Sequence, residues 1–72
     1  MDERDAKIIL AIADSAINLN AAARAVFMHR NTLVYHICKI KKITGLDATD
    51  FYDLCKLVAM VANNEIGGDC NG

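Results

Sequence analysis

No proline occurs in this sequence, no apolar run exceeds a few residues, no two cysteines stand in C-x-x-C spacing, and no carboxylate lies between Ser15 and Leu46. Without proline, and with 54% of its residues hydrophobic, the chain favours packed helices over disorder. The short apolar runs exclude a bilayer span, which needs about 20 consecutive apolar residues. The run Met1-Asp2-Glu3-Arg4-Asp5 carries both signs of charge and lacks the basic start and apolar stretch of a signal peptide, so a cytoplasmic protein is expected. Cys38, Cys55 and Cys70 are odd in number, and outside a secretory context they read as reduced thiols rather than a disulfide framework.

What is present is a strongly segregated charge. The carboxylate-free middle holds Arg24, Arg30, Lys39, Lys41 and Lys42. Before it stand Asp2, Glu3, Asp5 and Asp14 against Arg4 and Lys7. After it stand Asp47, Asp50, Asp53, Glu65 and Asp69 against Lys56. The middle is therefore +5 and the flanks −2 and −4, although the whole chain is only −1. A local field follows local charge within about 10 Å at 0.1 M salt, so the net value does not argue against a nucleic-acid partner.

The 72 residues suffice for one domain. A chain this short buries about 60% of its unfolded surface, enough for a small core. Apolar spacing predicts four helices. The first runs from about residue 3 to Ile17, with acidic residues in its first turn and a stripe of Ile8, Ile9, Ile12, Ala13 and Ala16. Leu10 and Ile17 widen that stripe, which then suits either two-sided burial or a homodimer contact through helix 1. Asn20 suits an N-cap for a short, alanine-rich helix over 21–27, with Ala22, Ala23 and Val26 inward. After a break at Met28-His29, a helix over 30–44 buries Leu33, Ile37, Ile40 and Thr44, and Gly45 closes it. Asp50, with Asp53 three residues on, starts a helix over 51–64 in a pattern like a capping box. That helix presents Phe51, Leu54, Leu57, Val58 and Val61 inward, and Cys55 falls at the core or its edge. The domain is thus expected over residues 1–65, and the patternless 66–72 segment reads as a disordered tail.

A short alanine-rich helix, a turn and a longer basic helix make a helix-turn-helix, within an all-α, four-helix orthogonal bundle. The second helix of such a pair enters the major groove by its N-terminal residues. Setting Leu33 at the centre of the buried side places Asn31, Val34, Tyr35, Cys38 and Lys42 opposite it, with Lys39 and Lys41 on the flanks. Asn31 can pair with adenine N6 and N7, and Arg30 with guanine O6 and N7. Val34 can meet a thymine methyl, or is simply exposed. His29 can donate to a phosphate or a base, and the hydroxyls of Thr32 and Tyr35 suit phosphate. Lys39, Lys41 and Lys42 position without reading sequence, and Asn20 completes the candidate contacts with double-stranded DNA. Tyr35 could instead stack on a partner helix, and Cys38 is read as an inert small residue before a redox switch.

The run from Asn20 to Leu46 resembles the C-terminal helix-turn-helix of PucR and CdaR-type transcriptional regulators. The resemblance rests on His29-Arg30-Asn31-Thr32-Leu33 with Tyr35, and on the corner Thr44-Gly45-Leu46-Asp47. It spans roughly residues 5 to 62, and a more distant likeness is to the Fis-like DNA-binding fold. It implies sequence-specific duplex binding by a bacterial regulator, in a domain that normally follows a sensor region. No such region is present in these residues, so a stand-alone small regulator and an excised domain both fit. Where the family commonly has two arginines, this chain has Val34 and His36, which removes cations from the groove-facing helix. With the acidic flanks, that departure motivates an alternative: an interaction module that keeps the fold with weak or no DNA binding.

Other chemistry finds little support. His29, His36 and Cys38 have no fourth ligand at a convincing spacing for structural zinc, and neither metal nor cofactor is expected. An enzyme is the least expected class, for want of paired carboxylates, an activated nucleophile or a phosphate-cradling glycine loop.

Overall fold

The computed structural model describes residues 3–70, with side chains to residue 63. The protein is all-helical: α1 (Glu3–Asp14), α2 (Leu19–Ala25), α3 (Arg30–Thr44) and α4 (Phe51–Cys70). Helix α1 is the hub, packing on each of the other three, while α2 packs on α3. Its stripe supplies Ile8, Ile9 and Ile12, all fully buried, to a core completed by Ala22, Ala23, Leu33, Ile37, Ile40, Ala48, Leu54, Leu57 and Val61. Alanines at 22 and 23 let α2 lie close to its neighbours, and Ala48 does the same for the α3–α4 corner.

The first helix ends three residues earlier than its apolar pattern suggests, at Asp14 rather than Ile17. Ser15 stops it. Its hydroxyl donates to Ala11 O at 2.9 Å, which also accepts from Ser15 N at 3.1 Å, and is 3.2 Å from Ile12 O, the carbonyl that Ala16 N would use if the helix went on. The chain then closes in a Schellman motif: Ile17 N donates to Ile12 O at 2.9 Å and Ala16 N to Ala13 O at 3.3 Å. Ala16 and Ile17 both take positive φ, 55° and 65°. The next helix accordingly starts earlier. Asn18, not Asn20, is the N-cap, accepting from Ala21 N at 3.1 Å. Asn20 sits exposed inside α2.

Helix α2 ends at Ala25, short of the expected residue 27, in a second Schellman motif: Met28 N donates to Ala23 O at 2.9 Å and Phe27 N to Arg24 O at 3.1 Å. Phe27 occupies the left-handed position at φ 56°, where glycine is usual, and its side chain is 96% exposed. A non-glycine residue there costs about 1–2 kcal/mol, partly offset by glycine's greater chain entropy. Phe27→Gly is therefore expected to raise unfolding stability by about 0.5–1 kcal/mol. A chemical-denaturation midpoint that falls instead would show that the exposed ring has a stabilising contact.

Helix α3 has the expected bounds, and Gly45 closes it at φ 78°, donating to Lys41 O at 2.7 Å. Thr44 Oγ1 donates to Ile40 O at 2.8 Å and accepts from Leu46 N at 3.1 Å, turning the chain out of the helix. The corner that follows is built by carboxylates. Asp47 accepts from Thr49 N at 2.8 Å and from the Thr49 hydroxyl at 2.6 Å. The Thr49 hydroxyl, then its N–H and the Lys41 charge, hold the Asp47 carboxyl below its ordinary value, against a small opposing effect of burial. Asp50 caps α4 as its spacing implies, accepting from Asp53 N at 3.0 Å. Asp53 does not complete a capping box: its carboxylate reaches across the corner to Asp47 N at 3.1 Å.

Two positions in α4 differ from their sequence reading. Phe51, expected inside, is 63% exposed, and Cys55 is exposed rather than at the core edge. Both fall away from the Leu54–Leu57–Val61 seam that faces α1. The helix also continues to Cys70, past Asn64, through most of the segment read as a disordered tail. The rest of that expectation, at Asn71 and Gly72, lies outside the described residues, as do the side chains from residue 64 on. Among the described residues, no helix is long and apolar enough to cross a membrane.

Candidate nucleic-acid interface

Helix α3 lies with Leu33, Ile37 and Ile40 in the core, so its opposite side is turned outward. Asn31, Tyr35, Cys38 and Lys42 are all exposed, and at 100° per residue they form one ridge along the helix. His29, Arg30 and Thr32 cluster, exposed, at its N-terminal end. Lys41 is exposed beside the ridge and Val34 is half-buried on its shoulder. The first turn of α3 carries no acidic residue, and His29 at the cap position makes no side-chain bond to the helix amides. The positive end of the helix dipole is therefore left to attract an anion.

Two residues of α3 are placed otherwise. His36 is buried, with Nδ1 3.8 Å from Asp5 Oδ1, and so does not belong to the outward side from which the sequence subtracts it as a lost cation. Lys39 is half-buried on the flank toward α1, its Nζ 3.4 Å from the same Asp5 oxygen. Asp5 itself is almost wholly buried. Carboxylate-free in sequence, the basic segment thus acquires a carboxylate in space, and one of its five cations is engaged by it. Asn20 stands apart on α2, exposed but off the α3 ridge.

Asp5 is the residue that sequence reasoning missed. The signal was present: positions 5, 8, 9 and 12 share one helical face, so Asp5 continues the stripe of Ile8, Ile9 and Ile12. A carboxylate on a buried face calls for a cationic partner. Lys39 supplies it at 3.4 Å, and the His36 imidazole, three residues before Lys39 on the same flank of α3, lies beside the carboxylate at 3.8 Å.

A family profile described as the PucR C-terminal helix-turn-helix domain matches residues 6–62. This chain belongs to that family. The match begins one residue after Asp5 and takes in the whole of α2 and α3, the α3–α4 corner and α4 as far as Ala62. A curated relative, the carbohydrate diacid regulator of Escherichia coli (strain K12), is 44% identical over 46 residues. That alignment covers 62% of this chain but only 12% of the regulator. No solved structure matches the chain. The PucR-type domain is a helix-turn-helix from transcriptional regulators, and the four-helix architecture agrees with it. Among the described residues, no group of three or more His, Cys, Asp or Glu side chains could hold a metal ion.

Proposed function

We propose that this PucR-type domain binds double-stranded DNA sequence-specifically, with α3 in the major groove, as the DNA-contacting part of a bacterial transcriptional regulator acting on the nucleoid in the cytoplasm. One observation carries the reading. The polar and cationic tips of Asn31, Tyr35 and Lys42 share the exposed side of α3, and Arg30 is exposed at its N-terminus, which is free of acid. Arg30 and Asn31 are assigned to base edges. His29, Thr32, Tyr35 and Lys42 are assigned to phosphates, and Val34 and Cys38 fill the groove between them. Helix-turn-helix domains commonly bind as dimers on half-sites about one helical turn apart. A homodimer is proposed here too.

The interaction-module alternative has less support, because His36 lies buried beside Asp5 and not on the α3 ridge. NMR titration with random duplex at low salt separates the two readings. Shifts confined to residues 29–42, and an affinity falling with a log–log salt slope near −0.9 per phosphate contact, are expected for DNA binding. Unmoved resonances over 29–42 would reject it in favour of the interaction module.

A further inference from the structure

Among the described residues, α4 packs only against α1, and its far side is left uncovered. With Leu57 at the centre of the buried side, Tyr52, Cys55, Ala59 and Ala62 fall opposite it, and all four are exposed. Phe51 adjoins them, 63% exposed, its ring edge-on to that of Tyr52, which is 75% exposed. The only exposed charge on α4 from Phe51 to Asn63 is Lys56, since Asp53 is partly buried and turned to the corner. At 150–250 Å² per aromatic side chain, the two rings alone leave roughly 300 Å² open. The small residues bring the face to about 400–500 Å², within the range of about 300–600 Å² for the largest apolar patch on a typical monomer, which is often functional.

We infer that this face of α4 pairs with its copy on a second chain, the two helices running antiparallel. The distribution of size along the stripe decides the direction. Its N-terminal end is large (Phe51, Tyr52) and its middle and far end are small (Cys55, Ala59, Ala62). An isologous pair brings residue i against j and j against i. Centred near Leu57, the antiparallel arrangement sets Tyr52 over Ala62 of the partner subunit and Cys55 over Ala59 of the partner subunit. Large side chains then fill the space above small ones at both ends, as interdigitated packing requires. A parallel pair stacks the tyrosines at one end and leaves alanines facing across a gap at the other. The helix that looked apt for this task, α1, has buried Ile8, Ile9 and Ile12 in its own core and leaves only Leu10, 39% exposed. Two copies of the α4 face bury about 900 Å² in all, the size of a weak, reversible interface.

The test uses the free chain without DNA, so its failure leaves the DNA-binding reading untouched, and a dimer that ignores duplex overturns that reading alone. Sedimentation is expected to show mass doubling as concentration rises from about 10 μM to about 1 mM, the range for an interface this small. Ala59→Glu should abolish the doubling with no change in circular dichroism or Tm, because the position is exposed. A mass that stays monomeric in the parent chain, or doubling that survives Ala59→Glu, overturns the inference. Direction is read by oxidation in a Cys38→Ser, Cys70→Ser background. Ala59→Cys should cross-link efficiently through Cys55. Cys55 alone should not, since the two copies stand about 6 Å apart along the axes in addition to the helix separation. Efficient cross-linking through Cys55 alone means a parallel pair and overturns the antiparallel arrangement.

Discussion

Arg30→Ala and Asn31→Ala are each expected to weaken the best duplex site by roughly 1–3 kcal/mol, or about 5- to 150-fold. Both side chains are exposed at the start of α3, and neither has an ion pair or side-chain hydrogen bond to lose among the described residues. Unfolding stability should therefore stay within about 0.5 kcal/mol of the parent. Affinity and stability separate because the contacts exist only in the complex. A guanidinium or a side-chain amide that meets a base edge in two places also discriminates, so each variant should relax preference at one base pair. Selection from a random duplex pool, run on parent and variants together, reads both effects. If both variants hold the best site as tightly as the parent, base reading does not reside at the N-terminus of α3.

Lys39 and Lys42 should behave as opposites, although the sequence reading gives both the same role on phosphate. Lys42 is exposed on the ridge. Its replacement by alanine is expected to reduce the salt slope by about 0.9 and leave stability nearly unchanged. Lys39 is tied to Asp5, whose carboxylate is almost wholly out of water. Removing one partner of a buried pair costs about 3–5 kcal/mol when both are buried. The Lys39 side chain keeps 34% of its surface exposed, so screening by water reduces the figure, and Lys39→Ala is expected to cost about 2 kcal/mol. The salt slope should barely move. Denaturant unfolding and a salt titration of binding, on both variants, give the comparison. A stable Lys39→Ala protein with a reduced slope would mean that Lys39 serves phosphate and not Asp5.

The pair also ties α3 to α1 by charge. Asp5 reaches His36 and Lys39, which lie three apart on α3, so the angle of α3 is referred to α1 at its middle as well as through the core. Because α4 packs on α1 too, the hub helix joins the exposed α4 face to the ridge. A dimer formed through α4 would thus set the spacing of two ridges through α1.

Periodicity and capping chemistry determined much of this protein directly. The bounds of α3, its buried Leu33, Ile37 and Ile40, the Gly45 closure and the Asp50 cap all rest on local rules, which act within a few residues and are readable from spacing. The outward ridge follows from the same geometry, because burying one side of a helix presents the other. The end of α1 was less legible. Apolar spacing runs on through Ala16 and Ile17, but the Ser15 hydroxyl and two left-handed residues end the helix first, and hydrophobic pattern is blind to backbone strain. What only the tertiary structure decided is which charges meet. Asp5 lies thirty-four residues from Lys39 in the chain and 3.4 Å from it in space. No count of charge along a segment can see that encounter, since Coulomb attraction and desolvation depend on distance and burial, not on order in the sequence.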